Sequence, residues 1–265
     1  MQPDFIIVGA MKAATTSVCN YLHHHPEVDM PYEEPHIFDS PTFDPSNFEY
    51  YNNFFKLKNR KVKGEKTPTY SFHPQVPERI YNFNPDCKII WILREPVARA
   101  YSNYWHAVKN GIEYLSFEQA WKQESLRIEK NIFYGYFERS IYINQINRYL
   151  QFFPLSQMHI VLQEELQDEN AIKNICKFLG IENKPFAQNQ KRKNITTIPH
   201  SRYLQYYGKK FFNNTKVYSL IWHLNKRSKP GYPAMSSKIK SELQQYFLPY
   251  NIELASLINK DLSHW

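Results

Sequence analysis

Asp4-Phe5-Ile6-Ile7-Val8-Gly9-Ala10-Met11-Lys12-Ala13-Ala14-Thr15-Thr16-Ser17-Val18 reads as a strand, a turn and the start of a helix. Phe5 to Val8 is an apolar run without polar alternation, the pattern of a strand buried on both faces in a parallel sheet. Gly9 breaks it. Thr15, Thr16 or Ser17 is placed to cap a helix that carries Val18, Tyr21 and Leu22 and stops before Pro26. Such a turn gathers backbone N–H groups, hydroxyls and Lys12 in one small volume. It suits an anion, because a helix start offers free donors and the positive end of its dipole. It departs from the nucleotide loop G-x-x-x-x-G-K-[ST]: Ala14 stands where the second glycine belongs, Thr15 where the lysine belongs, and the lysine comes early at Lys12. A strand, turn and helix with an exposed lysine also occurs without an anion site, so the other cations carry weight.

The chain has 265 residues, enough for one sizeable core, and is rich in Tyr and Phe but poor in Gly. A net charge of +8 and a pI near 9.1 suit an anionic ligand, a nucleic acid or a membrane surface. No nucleic-acid motif accompanies the charge, so no nucleic-acid partner is expected. Cys19, Cys87 and Cys176 lack metal spacing and lie in or beside apolar segments, which reads as reduced core thiols in a cytosol-like compartment. No signal-peptide pattern opens the chain, and no window approaches the ~18 apolar residues of a membrane span. The expectation is a soluble, cytoplasmic protein without an integral membrane segment. A catalytic domain cut from a longer anchored chain would look the same.

Tyr32-Glu33-Glu34-Pro35-His36 follows the first helix, in a stretch that Pro31 and Pro35 hold extended. Alone, it reads as a polar loop. Residues 41–60, with FEYYNNFF inside, suggest a lid or helical hairpin over the sheet edge. Val62 to Tyr70 resembles a short strand ending in a turn at Lys66. Lys88 to Leu93 is a second buried-strand pattern. After it, Pro96 opens an amphipathic helix to about Lys109, since proline at the first helical position loses no bond. Ligands of open α/β sheets bind beyond the carboxyl ends of strands, so Lys12 and Arg94 leave two strands toward one crevice. Helices are expected over 116–129, 138–153 and 170–179, the last stopped by Gly180, with a strand at 159–162. Residues 203–224, rich in Tyr, Phe and Trp with Lys and Arg between, fit either a membrane-surface helix or a packed helical cover. The Tyr, Asn and Ser scattered through the apolar stripe favour the cover. A final helical pair at 236–258 is broken or kinked at Pro249. The alternation of strands and helices predicts one α/β domain over residues 1–265, with a central, mainly parallel sheet and a helical C-terminal cover.

With these stretches in order, the chain resembles the sulfotransferases that use 3′-phosphoadenosine-5′-phosphosulfate (PAPS), most of all the heparan-sulfate type. The resemblance covers nearly the whole chain. It implies the P-loop-like sulfotransferase fold. Lys12-Ala13-Ala14-Thr15-Thr16, with Ser17, matches the 5′-phosphosulfate loop; Glu34-Pro35-His36-Ile37-Phe38 matches the catalytic segment; Glu65-Lys66-Thr67-Pro68-Thr69-Tyr70 follows at family-like spacing. Leu93 to Ser102 matches the 3′-phosphate site, where the family uses an Arg and a Ser eight residues apart, here Arg94 and Ser102. The late cofactor loop falls on residues 190–194, QKRKN, so that Arg192 and Lys193 are its candidates, without the family's glycine. Many relatives also have glycine where Ala13 and Ala14 stand.

The resemblance implies sulfuryl transfer from PAPS to an acceptor hydroxyl by in-line displacement, leaving PAP and needing no metal. Positioning and electrostatics do most of such work. Lys12 would neutralise the leaving phosphate and Lys66 the sulfuryl oxygens, while Glu34 takes the hydroxyl proton. His36 is the second candidate for the base or orients it. The acceptor, a sugar or a small molecule, is not identifiable. Two other readings stand beside this one: a P-loop-type kinase, and a non-catalytic module that binds PAP or a polyanion.

Overall fold

The computed structural model describes residues 1–45, 49–57, 59–184, 196–228 and 231–265. The chain divides into two compact units. The first comprises Met1–Arg94, Tyr142–Phe186 and Glu253–Lys260; the second comprises Glu95–Ile141, Ala187–Ile252 and Asp261–Trp265.

In the first unit β1 (Phe5–Gly9) leads to α1 (Thr15–His23) and the two-residue β2 (Val28–Asp29). Then come α2 (Glu49–Phe54), β3 (Val62–Lys66), α3 (Val76–Phe83) and β4 (Lys88–Leu93). The second unit takes α4 (Pro96–Lys109), α5 (Phe117–Lys122) and α6 (Glu124–Ile128). The chain returns to the first unit with α7 (Tyr142–Leu150), β5 (Met158–Leu162) and α8 (Glu169–Leu179). Then α9 (Arg202–Phe212) and α10 (Lys216–Asn225) belong to the second unit, and α11 (Ser237–Ile258) runs unbroken through Pro249, where two helices were expected.

The sheet order is β2-β3-β1-β4-β5, with every pair parallel. This is the expected architecture, and the reason lies in burial: Phe5 to Val8 and Ile89 to Leu93 are fully buried, so both faces of β1 and β4 select apolar side chains. β1 and β3 are locked by shape as well. A Cβ on Gly64 would lie 2.0 Å from the ring of Phe5, its register partner. Glu65 buries its carboxyl group, which accepts a hydrogen bond from the hydroxyl of Tyr51 at 2.6 Å. Tyr51 stacks on Phe83 at 5.5 Å, so the aromatic stretch at 41–60 supplies core rings and, among its described residues, one short helix.

Other expectations need correcting in detail. The helix expected over 116–129 is split at Gln123. Buried Glu124 turns its carboxylate to the amides of Phe137 and Glu138, a bond set that competes with a continuous helix. The helix expected from 138 starts in earnest at Tyr142, after a 3-10 turn at Glu138–Ser140. The segment 203–224 is two helices, because Asn214 takes a left-handed φ of 59° and Thr215 caps the second by accepting from Tyr218 N.

Candidate active site

β1, β3 and β4 are neighbours, and each delivers a cation at its carboxyl end. Lys66 is the last residue of β3, Arg94 is the first past β4, and Lys12 lies three residues past β1. The loop after β1 is tight. Ala13 N donates to Ala10 O at 3.1 Å, and Lys12 and Ala14 adopt left-handed φ values of 72° and 68°. Arg94 crosses from β4 and donates through Nη1 to Lys12 O at 3.1 Å. The end of β4 is thereby tied to the backbone of the loop after β1.

The helix start differs from expectation. Ala14, not a hydroxyl residue, occupies the cap position, and no side chain caps α1. Thr15, Thr16 and Ser17 fall inside its first turn, Thr15 buried and the other two exposed. The first-turn amides are thus left without a side-chain acceptor at the positive end of the helix dipole. Ala13 is buried in the turn itself. Loop amides, hydroxyls and neighbouring cations together make a cradle that favours a polyanion.

Beyond β3 the second half of the site is assembled. Lys66 is buried to its tip, and its Nζ lies 2.6 Å from Glu34 Oε1. The other oxygen of Glu34 is 3.7 Å from His36 Nε2. His36 takes a left-handed φ of 52°, which brings its Nδ1 back to Asp39 at 3.0 Å. Three residues of this site, Lys12, Ala14 and His36, therefore carry a conformation that costs about 1 kcal/mol or more each without glycine.

The hydrogen bond to Asp39 raises the pKa of His36 above the ordinary histidine value, against the opposing effect of its partial burial. Burial pushes the Asp39 carboxyl up, but the hydrogen bonds from His36 and Thr69 Oγ1 outweigh it and hold Asp39 below its usual range. Tyr70 supports the segment from beneath: its hydroxyl accepts from Ile37 N at 2.9 Å and Phe38 N at 3.2 Å. Cys19 is buried close to Lys66 and Glu34. Burial pushes its thiol up to about 11 against the pull of the lysine charge, so it is a protonated wall group.

Asp39 was not singled out from the sequence, and Thr69 and Tyr70 stood there only within a matched segment, without a role. The available signal was the carboxylate three residues after His36, which means proximity only once the chain folds back at His36. Glu33, next to Glu34, lines a cleft of about 530 Å³ with His23, Tyr32, Tyr50, Phe54 and Lys56 among its walls. His23 and Tyr32 lie ring to ring at 3.8 Å, and Tyr50 and Phe54 stack at 5.7 Å. Ser102 belongs to the second unit, where its Oγ is 3.1 Å from the Tyr232 hydroxyl. Arg192 and Lys193 lie outside the described residues.

Comparison with known proteins gives a consistent result. The family model for the sulfotransferase domain matches residues 2–249. Heparan sulfate glucosamine 3-O-sulfotransferase 5 of Mus musculus is 27% identical over 98% of this chain and 73% of its own length. The 3-O-sulfotransferase 3B1 of the same organism is 26% identical, over 98% of this chain and 64% of its own. The crystal structure of a sulfotransferase from Alicyclobacillus acidocaldarius superposes with a TM-score of 0.76 at 26% identity, covering 100% of this chain and 99% of that one. The sulfotransferase domain of the curacin biosynthetic pathway shares the fold, with a TM-score of 0.55 at 15% identity.

Proposed function

The chain belongs to the PAPS-dependent sulfotransferase family, and we propose that it sulfates the hydroxyl of a sugar or small-molecule acceptor with Glu34 as the base. The matched residues 2–249 take in parts of both units, which supports reading 1–265 as one sulfotransferase domain.

The residues present fit the donor. An uncapped helix start, a tight loop that carries Lys12, and Arg94 reaching across to that loop suit a phosphosulfate. Bound there, PAPS supplies an activated sulfuryl group on a phosphate that leaves as PAP. Lys12, the amides around Ala13 and Ala14, and Thr15, Thr16 and Ser17 hold the 5′ end. Arg94, which also ties down Lys12 O, takes the 3′-phosphate. Arg192 and Lys193 remain candidates to close over it.

Glu34 accepts the proton of the acceptor hydroxyl as the acceptor oxygen forms its bond to sulfur and the sulfur–phosphate oxygen bond breaks. Lys66 offsets the negative charge that gathers on the oxygens around sulfur. His36, fixed by Asp39, orients Glu34 and the incoming hydroxyl. The cleft beside Glu33 holds the body of the acceptor, with its aromatic walls suited to a flat ring face.

The observation that carries this reading is the 2.6 Å pair of Lys66 and Glu34 at the strand ends that also deliver Lys12 and Arg94. The test is transfer of labelled sulfate from PAPS across an acceptor panel, with product mass identified by mass spectrometry. Sulfated product from the parent chain and none from Glu34→Gln supports the proposal. Binding of ATP with magnesium in preference to PAP overturns it.

A further inference from the structure

The helices α9 and α10 form a hairpin whose polarity is inverted. Asn225 Nδ2 donates to Ser201 O at 2.8 Å, Gln205 Nε2 donates to the Tyr218 hydroxyl at 2.9 Å, and a Cβ on Gly208 would lie 3.0 Å from Ile221. Ser201 meets Asn225 while the later Gly208 meets the earlier Ile221, and only residues 213–215 join the two helices, so they are antiparallel. The residues between them include Gln205 and Asn225, only 1% and 3% exposed. Ile221 faces inward as well, but six large apolar side chains point the other way: Phe211 is 67% exposed, Leu220 59% and Leu224 75%, with Leu204, Tyr207 and Val217 exposed beside them. A soluble amphipathic helix does the reverse.

The exposed residues form one surface. Leu204 and Tyr207 each precede an inward residue, Gln205 and Gly208, by one position; Val217, Leu220 and Leu224 precede Tyr218, Ile221 and Asn225 in the same way. One position is about 100° around a helix, and on antiparallel helices that step turns both rows to the same side of the hairpin. A contiguous apolar face of this kind marks an interaction site.

Charge selects the partner. Between Glu182 and Glu242 the sequence holds 13 Lys and Arg and no Asp or Glu. Six of them, including Lys209, Lys210, Lys216 and Lys226, lie in the hairpin or at its base. Apolar side chains flanked by cations, with tyrosines at the margin, match the interface of an anionic bilayer. Among the described residues no helix is long and apolar enough to cross a membrane.

We propose that the outer face of the α9–α10 hairpin docks this protein on an anionic lipid surface, lying in the interface without spanning it. The expected helical cover is present, since Gln205 Nε2 donates to Lys109 O of α4 at 3.0 Å, but the outer face of the hairpin stays exposed because Gln205, Gly208 and Asn225 take inward positions.

The test is sedimentation of the full chain with phosphatidylcholine vesicles, with and without phosphatidylglycerol, at low and high salt. Anionic vesicles are expected to bind at least about tenfold tighter than neutral ones, with binding weakened by salt. Leu220→Ser with Leu224→Ser should lose about tenfold or more in vesicle affinity while circular dichroism and melting temperature stay unchanged. Lys209→Gln with Lys210→Gln should lose the preference for anionic lipid and keep the fold. No binding to anionic vesicles overturns the proposal. So does binding that the leucine pair leaves intact, because it assigns the attraction to charge alone. Self-association by analytical ultracentrifugation, lost in the leucine pair and without vesicle binding, also overturns it and makes the face a contact between copies.

Discussion

The ammonium of Lys66, at the end of β3, stands 2.6 Å from Oε1 of Glu34, while His36 Nε2 approaches the other carboxylate oxygen at 3.7 Å. Glu34→Gln keeps an oxygen for Lys66 and removes the proton acceptor. Turnover should fall by about 10²–10⁴-fold, with the PAP dissociation constant nearly unchanged. Steady-state assays paired with calorimetry check both numbers. Parental turnover in this variant would move the base elsewhere.

Arg94 holds Lys12 O and is the proposed partner of the 3′-phosphate. Arg94→Ala should weaken PAP by about tenfold or more in calorimetry. Adenosine 5′-phosphosulfate, which lacks the 3′-phosphate, separates the two roles. If both ligands weaken equally, Arg94 works only by shaping the loop.

The imidazole of His36 depends on Asp39 for its raised pKa. Asp39→Asn should bring His36 down toward the ordinary value of 6.5, followed by NMR titration of the ring protons. The alkaline stretch of the activity profile should move with it. For stability the sign is that of a raised base: the contribution is complete below pH 6.5 and disappears as pH rises through the folded value. Half-exposed as the ring is, solvent screening keeps that contribution small, and activity is the better readout.

Burial pushes the Glu65 carboxyl up to about 8 from an ordinary 4.5, against the hydrogen bonds of Tyr51 and Thr67. Its folded form holds a proton that the unfolded chain releases. Stability should therefore fall as pH rises from 4.5 to 8, by up to about 1.4 kcal/mol per pH unit. Urea midpoints across that range measure the slope. Glu65→Gln, neutral at every pH, should flatten it, and an unchanged slope would place the titration at another group.

Ala14 sits at φ 68°, where glycine has no steric penalty. Ala14→Gly should raise stability by about 0.5–1 kcal/mol, read from urea denaturation, because relief of strain exceeds the added freedom of the unfolded chain. A destabilised variant would show that the alanine methyl has a packing role.

Much of this architecture is legible in residue patterns, and where it is not the reason is physical. β4 and α4 read to their ends, since a strand buried on both faces leaves an unbroken apolar run and Pro96 suits a first helical turn. α8 reads almost as well, because Gly180 takes the left-handed cap. β2 is two residues long and too short for any period. The cap of α1 escaped because loop geometry placed Ala14 there over three better capping residues. Asp39 escaped because its meeting with His36 depends on a backbone turn that the residue types do not announce. Lys66 and Arg94 stood out individually, but their common neighbourhood needed the strand order, with β1 between β3 and β4.

Residues 33–45 contain no helix or strand, yet they carry Glu34 and His36. Besides the ring contacts of Phe38 with Tyr51 and Phe83, polar supports come from one later segment: Thr69 bonds Asp39, Tyr70 bonds the amides of Ile37 and Phe38, and Arg79 donates to Phe38 O at 2.6 Å. The two segments behave as a cassette. A chimaera that exchanges residues 33–79 with a relative would carry the acid–base group together with its scaffold. One that exchanges residues 33–45 alone would graft the chemistry onto supports shaped for another loop. Lineages that diversify their acceptors would accordingly be expected to vary these two segments in concert.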